Sequence, residues 1–264
     1  MKIYVLTDLE GVAGVARWDQ TGRDTPGYPA AVRLLTAEVA ACVAGIHDVS
    51  PEAEIWVWDA HGPGGIDPER FPRGAKLLND GPVPKTGFLD PSFDALFFLG
   101  QHAMASTRDG NLAHSYSSKN IESIQINGLE LGEFGCRAAF AGELGVPTLF
   151  VSGDDKMAAE ARALVPDIVV AEVKTGLGPQ VALHMAPEDA RDLIRARAAE
   201  AVRRIPHVPP CRPIPQVAGQ AKRYRQVIRI WGRTDPGFLL DRGFMQDGAR
   251  SFWLQADRLV DLYI

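Results

Sequence analysis

The chain is expected to fold as an α/β protein: three layers, α/β/α, around a mainly parallel central sheet, plus a smaller C-terminal α+β domain. Two observations predict this. Short apolar runs alternate with helix-periodic segments through the first 185 residues, the pattern of a parallel sheet covered on both faces. Beyond that point the alternation gives way to one long helix, a proline-rich connector and strand-like runs. The expected division is residues 1–185 and residues 186–264.

Each element follows from local chemistry. Ile3–Thr7 is an apolar run followed by an acid, Asp8, and Ala30–His47 carries Ala, Val, Leu and Ile at helical spacing, a return helix. Glu54–Trp58, Ala95–Leu99 and Thr148–Ser152 are the second, third and fourth parallel strands. Between the last two, Ser123–Asn127 and Leu129–Leu131 flank Asn127-Gly128, a two-residue hairpin signal. Gly132–Leu144 is a helix stopped by Gly145 and Pro147, and Lys156–Leu164 is another, ending before Pro166. Pro187–Arg204 is a helix with Pro at its start and two acids in its first turn. After the connector Pro206–Pro215 come strand-like runs at Gln226–Trp231 and Ser251–Gln255.

Composition excludes several classes. With 46% hydrophobic and 23% charged residues the chain is ordinary for a globular protein. Its 26 Gly and 19 Pro fall below what disorder or collagen requires. The net charge is −5, acidic residues prevailing before residue 185 and basic ones after it. Lys222-Arg223-Tyr224-Arg225 is a solvated strand end rather than a phosphate contact, so no nucleic-acid partner is expected. No run approaches the ~20 apolar residues of a membrane span, and the N-terminus reads as a strand rather than a signal peptide. Cys42, Cys136 and Cys211 are odd in number and show no C-x-x-C, which fits a reducing, cytoplasmic compartment.

The chemistry gathers at strand ends. Thr7-Asp8-Leu9-Glu10-Gly11 closes the first strand, and residues two apart on a strand face the same way. Two such carboxylates repel unless a cation or a proton sits between them. The second strand runs into Asp59-Ala60-His61-Gly62 and the third into Gly100-Gln101-His102, at the sheet edge where α/β folds bind ligands. Imidazole with carboxylate suits Zn, Mn, Co or Fe. His114 lies in a polar loop, and Glu133 opens a helix, where it also complements the dipole. Asp154-Asp155 is expected to cap the helix that follows. His47, His184 and His207 fall outside this pattern. The chain lacks H-E-x-x-H, G-x-S-x-G, the P-loop and G-x-G-x-x-G.

Six motifs in this order resemble the M55 metallopeptidases, the zinc-dependent D-aminopeptidases also labelled dipeptide transport proteins. They are Thr7–Gly11, Asp59-Ala60-His61, Leu99–Ala103, Ala113-His114-Ser115, Gly132–Gly135 and Ser152–Asp155. The resemblance implies a two-zinc site on Asp8, Glu10, His61, His102 and Glu133, with His114 as the catalytic histidine. Mn2+ and Co2+ are chemical alternatives to Zn2+. Five ligands exceed one tetrahedral zinc with an open position and suit two metals about 3.5–4 Å apart, Asp8 being the candidate bridge. The expected activity is hydrolysis of short peptides or amino-acid amides, D-residues included, by a homo-oligomeric ring of decamer size. The alternatives are a non-catalytic peptide-binding component of uptake and another dinuclear amide hydrolase. Gly62–Ile66, glycine-rich here, departs from the polar stretch of many relatives.

Overall fold

The computed structural model describes residues 1–264. In chain order the elements are β1 (Lys2–Thr7), α1 (Tyr28–Val49), β2 (Glu54–Asp59), β3 (Ala75–Leu78), β4 (Ala95–Gln101), β5 (Ile121–Ile126), β6 (Leu129–Glu130), α2 (Glu133–Glu143), β7 (Thr148–Asp154) and α3 (Asp155–Leu164). They continue with β8 (Val169–Gly178), β9 (Val181–His184), α4 (Pro187–Arg204), β10 (Tyr224–Ile230), α5 (Gly237–Leu240), β11 (Met245–Gln246) and β12 (Ser251–Ala256).

Seven strands form one sheet in the order β3-β2-β1-β4-β7-β8-β9, parallel except for β9. The central strands β4 and β7 are buried along their whole length, which is why their sequences are unbroken apolar runs rather than alternating ones. From β1 the chain winds outward through α1 to β2 and β3, then returns to lay β4 on the other flank of β1. That reversal of direction is a topological switch point, where open α/β sheets leave a crevice beyond the strand ends. The crevice is pinned by Asp8 N–H donating to the Leu99 carbonyl at 2.8 Å and Gly11 N–H to the Gly100 carbonyl at 2.7 Å. Gly100 has φ +71°, and a Cβ there would overlap the Asp8 carbonyl; only glycine lets the two strand ends come this close.

The other five strands form an antiparallel sheet, β11-β12-β10-β5-β6. The hairpin between β5 and β6 turns at Asn127 and Gly128, both at positive φ, as a type I′ connection requires. The division expected at residue 185 does not follow these sheets. β5, with β6 on its other side, comes from the first part of the chain but pairs with β10, and α4 from the second part packs on α1 and β8 of the large sheet. A single continuous core of 65 buried residues joins the two sheets. The strands β3, β8 and β9 had no counterpart in the sequence expectations.

One helix also departs from expectation. α1 has the length and the mean hydropathy, 1.5, of a membrane span. Half of that apolar window is buried inside the fold, against the sheet and α4, so its hydrophobicity serves the core. α1 and α4 touch where Gly45 meets the Arg195 carbonyl, which a Cβ at Gly45 would overlap. Replacing Gly45 with Ala gains helix propensity of about 1 kcal/mol but overpacks against rigid backbone, at about 1–3 kcal/mol. Gly45→Ala is therefore expected to lower the denaturant midpoint; a midpoint at or above that of the parent protein would show that the helices separate freely.

Candidate metal centre

The six residues singled out in the sequence converge at the crevice. Asp8 directly follows β1, with Glu10 in the turn beyond it. His61 lies two residues after β2, His102 immediately follows β4, His114 sits in the loop after β4, and Glu133 is the first residue of α2. They form two triads, Asp8–Glu10–His61 and His102–His114–Glu133, and within each triad the ligand atoms lie within 4.8 Å of one another. Asp8 joins the triads: its Oδ1 is 3.0 Å from His61 Nδ1 and its Oδ2 is 3.2 Å from His102 Nε2. Glu10 Oε2 is 3.2 Å from the same His61 nitrogen, and Glu133 Oε1 is 3.4 Å from His102 Nε2 and 3.7 Å from His114 Nε2.

Backbone carbonyls set the orientation of all three imidazoles. His61 Nε2 bonds the Thr21 carbonyl at 2.8 Å, His102 Nδ1 bonds that of Ala103 at 2.9 Å, and His114 Nδ1 bonds that of Leu112 at 2.9 Å. A carbonyl only accepts, so each of these nitrogens carries the proton. The other nitrogen of each ring turns toward carboxylates, which is how a metal-ligating histidine is held. His102 and His114 stack with centroids 4.0 Å apart. The carboxylates are braced as well: Leu9 N–H and the Gln101 amide donate to Asp8, and Tyr116 N–H donates to Glu133 at 2.7 Å.

The centre calls for positive charge. Burial disfavours a charged His61, but the Glu10 and Asp8 carboxylates outweigh it and push the ring up to about 12. Burial likewise opposes charge on His102, and Asp8 and Glu133 reverse it, raising the ring well above its ordinary value. Burial favours the neutral form of Asp8, yet His102 and His61 hold it well below the usual carboxylate range. Protons on the imidazoles meet this demand in one state and divalent cations meet it in another. The geometry favours cations: Glu10 Oε2 and His102 Nε2 are buried with no hydrogen-bond partner, although oxygens and nitrogens crowd within 3.5 Å of each. The His61–Asp8 hydrogen bond apart, atoms that converge here without pairing are arranged as donors around a cation are. Three carboxylates and three imidazoles, with no thiolate, are a borderline donor set that fits zinc.

Exposure rises from one triad member to the next. The His102 side chain is 1% exposed, that of His114 13% and that of Glu133 20%, so the second triad opens outward. A cleft of about 710 Å³ lies over it, lined by Glu10, Trp18, Thr21, His114, Tyr116 and Lys119 among others. A second cleft, about 530 Å³, borders His61, Asp59 and the Gly62–Ile66 loop. The larger touches both triads, through Glu10 and His114; the smaller touches one.

Several contributors escaped the sequence reading. Gln101 and the Thr21 carbonyl orient candidate ligands, and the His184 ring, given no role, accepts from Gly14 N–H at 3.0 Å. Glu38, deep in α1, accepts from Ala13 N–H, and burial pushes its carboxyl up to about 8. Lys174 is buried on β8, and burial pulls it down to about 8 against the charges of Asp154, Glu10 and Glu38. The signal available for both was a charged residue inside an apolar periodic segment. Asp154 caps α3 as expected, accepting from Met157 N–H at 2.8 Å.

A switch-point crevice holding a mixed imidazole and carboxylate cluster under an open cleft defines a metal-dependent hydrolase. A family model described as D-aminopeptidase, that of the M55 peptidases, matches residues 1–225, and the chain belongs to this family. A D-aminopeptidase from Bacillus subtilis (strain 168) is 30% identical over 272 aligned residues, covering 100% of this chain and 94% of the relative. The solved structure of the Zn-dependent D-aminopeptidase DppA from Bacillus subtilis, described as a self-compartmentalizing protease, superposes with a TM-score of 0.88 at 26% identity. That superposition covers 99% of this chain and 93% of that one.

His61 and His102 follow strand ends, and truncating either removes a candidate ligand, in the case of His102 together with its stacking on His114. His61→Ala and His102→Ala are each expected to lower the zinc content of the purified protein, measured by elemental analysis, with the far-UV circular dichroism unchanged. Full zinc content in both variants would remove these rings from the centre.

Proposed function

We propose that this M55 metallo-aminopeptidase releases N-terminal residues, D-configured ones included, from short peptides or amino-acid amides, with two zinc ions per chain. One observation carries the reading: a single carboxylate, Asp8, faces both triads, one oxygen to each. A carboxylate so placed is suited to bridge one ion held with Glu10 and His61 and another held with His102 and Glu133. Bound there, the ions would supply Lewis acidity toward a peptide carbonyl and an acidified water.

The protein's own groups do the rest. The cleft over the second triad receives the peptide, with Trp18 and Tyr116 as its aromatic walls. His114 is pinned through Nδ1 to the Leu112 carbonyl, so Nε2 is the nitrogen free to move a proton. It takes one from the attacking water and returns it to the departing amine. The Trp18 ring stands edge-on to it at 5.5 Å and limits its tilt. The proximity of His114 to Glu133 favours one other reading, in which His114 is a further ligand of the second ion. Phosphoester chemistry has less support, because Lys119 is the one basic side chain lining this cleft. A non-catalytic peptide binder has less support as well, since nothing about binding alone requires paired metal triads.

Two broader inferences accompany this reading. Leu177, Val181 and Leu183 expose an apolar stripe on the last hairpin of the large sheet, which supports self-association of the kind the relative's self-compartmentalizing description names. The three buried free cysteines fit a reducing, cytoplasmic setting.

His114→Ala separates the two roles of this ring. Retained zinc stoichiometry with kcat lowered by about 10²–10⁴ supports proton transfer. Loss of one ion makes His114 a ligand, and a raised KM with unchanged kcat makes it a substrate contact. For the protein itself, zinc near two per chain and chelator-sensitive release of N-terminal D-residues from a panel of amino-acid amides and dipeptides are expected; zinc near zero after metal supplementation would overturn the reading.

A further inference from the structure

Two loops carry opposite halves of the centre: residues 8–18, with Asp8 and Glu10, and residues 103–118, with His114. No strand pairing joins these loops, yet the two triads function together only if the loops keep a fixed separation. Lys174 lies between them, rising from β8 with its side chain buried. Its ammonium donates to the Glu10 carbonyl, to the Val15 carbonyl at 2.7 Å and to Asn111 Oδ1 at 2.8 Å. An ammonium has three donors and no acceptor, so these three oxygens saturate it.

Asn111 completes the link. Its amide nitrogen donates to the Ala16 carbonyl at 3.0 Å, back in the first loop, and its backbone N–H donates to Asp154 Oδ2 at 3.2 Å. The next residue, Leu112, donates to the Pro179 carbonyl and supplies the carbonyl that orients His114. Leu112 holds φ +54°, a left-handed conformation that a branched residue keeps only when its surroundings enforce it.

We infer that Lys174, with Asn111, is the positioning device of the metal centre, holding the Glu10 loop and the His114 loop at the separation that two ions require. The inference rests on the two-zinc reading above. Lys174 touches neither ligand oxygens nor substrate, so it acts through the backbone of Glu10 and through Asn111. Outer-sphere groups of this kind are typically worth 10–100-fold in metal affinity or activity.

The test is zinc titration of metal-free protein, with thermal unfolding recorded in parallel. Lys174→Met keeps the length of the stem and removes all three donors. It is expected to weaken zinc affinity by about 10–100-fold and to lower kcat more than it raises KM, while the chain stays folded. Gly45→Ala, remote from the centre, is the control for general destabilisation and should keep parental zinc affinity. Asn111→Asp keeps the side chain's shape but turns an oxygen toward the Ala16 carbonyl; it should weaken zinc binding too, and it decides the matter if Lys174→Met does not fold. Parental zinc affinity in a folded Lys174→Met and in Asn111→Asp, or a loss no greater than in Gly45→Ala, would overturn the positioning role. Failure of the parent protein to bind zinc would instead overturn the two-zinc reading and this inference with it.

Discussion

Three carboxylates and three imidazoles crowd into one crevice, and the surrounding architecture serves to keep them there. Left to themselves, carboxylates at this range repel, and imidazole nitrogens turned toward them need either a proton or a cation between. The fold resists that repulsion with backbone. Carbonyls of Thr21, Ala103 and Leu112 fix the rings, and amides of Leu9 and Tyr116 hold Asp8 and Glu133. Because backbone groups do not change rotamer, they fix these side chains more firmly than other side chains would.

The switch point explains why the cluster sits where it does. β1 is flanked by β2 on one side and β4 on the other, so the residues that follow these three strands fall together. Asp8, His61 and His102 each follow one of them. The remaining candidate ligands arrive on connections that return over the same edge. A parallel sheet with its helices on both faces leaves this edge as the open one, and the chemistry occupies it.

Much of this was legible in the chain itself. β1, β4 and β7 are buried on both faces, and they and β2 announce themselves as apolar runs, while α2, α3 and α4 carry helical periodicity. The site was legible because its residues follow those runs directly. β8 was not, because Glu172, Lys174 and two glycines interrupt its apolar pattern; the residue that obscured the strand is one that the loops over the centre lean on. β9 is an edge strand with its apolar side chains facing out, and β3 is four residues long, so neither presents a buried pattern. The boundary at residue 185 marked a real change in composition. Composition cannot reveal that α4 packs back on α1, or that the β5–β6 hairpin is completed by strands a hundred residues later.

That last pairing separates the order of synthesis from the order of assembly. All six candidate ligands lie within the first 133 residues, and a chain half made has every one of them. Yet Glu133 directly follows the β5–β6 hairpin, whose partner β10 begins at Tyr224. Until that strand is delivered, the hairpin leading into α2 is a two-stranded ribbon of marginal stability. A strand made late thus completes the ribbon that leads into Glu133, a residue made at the chain's midpoint.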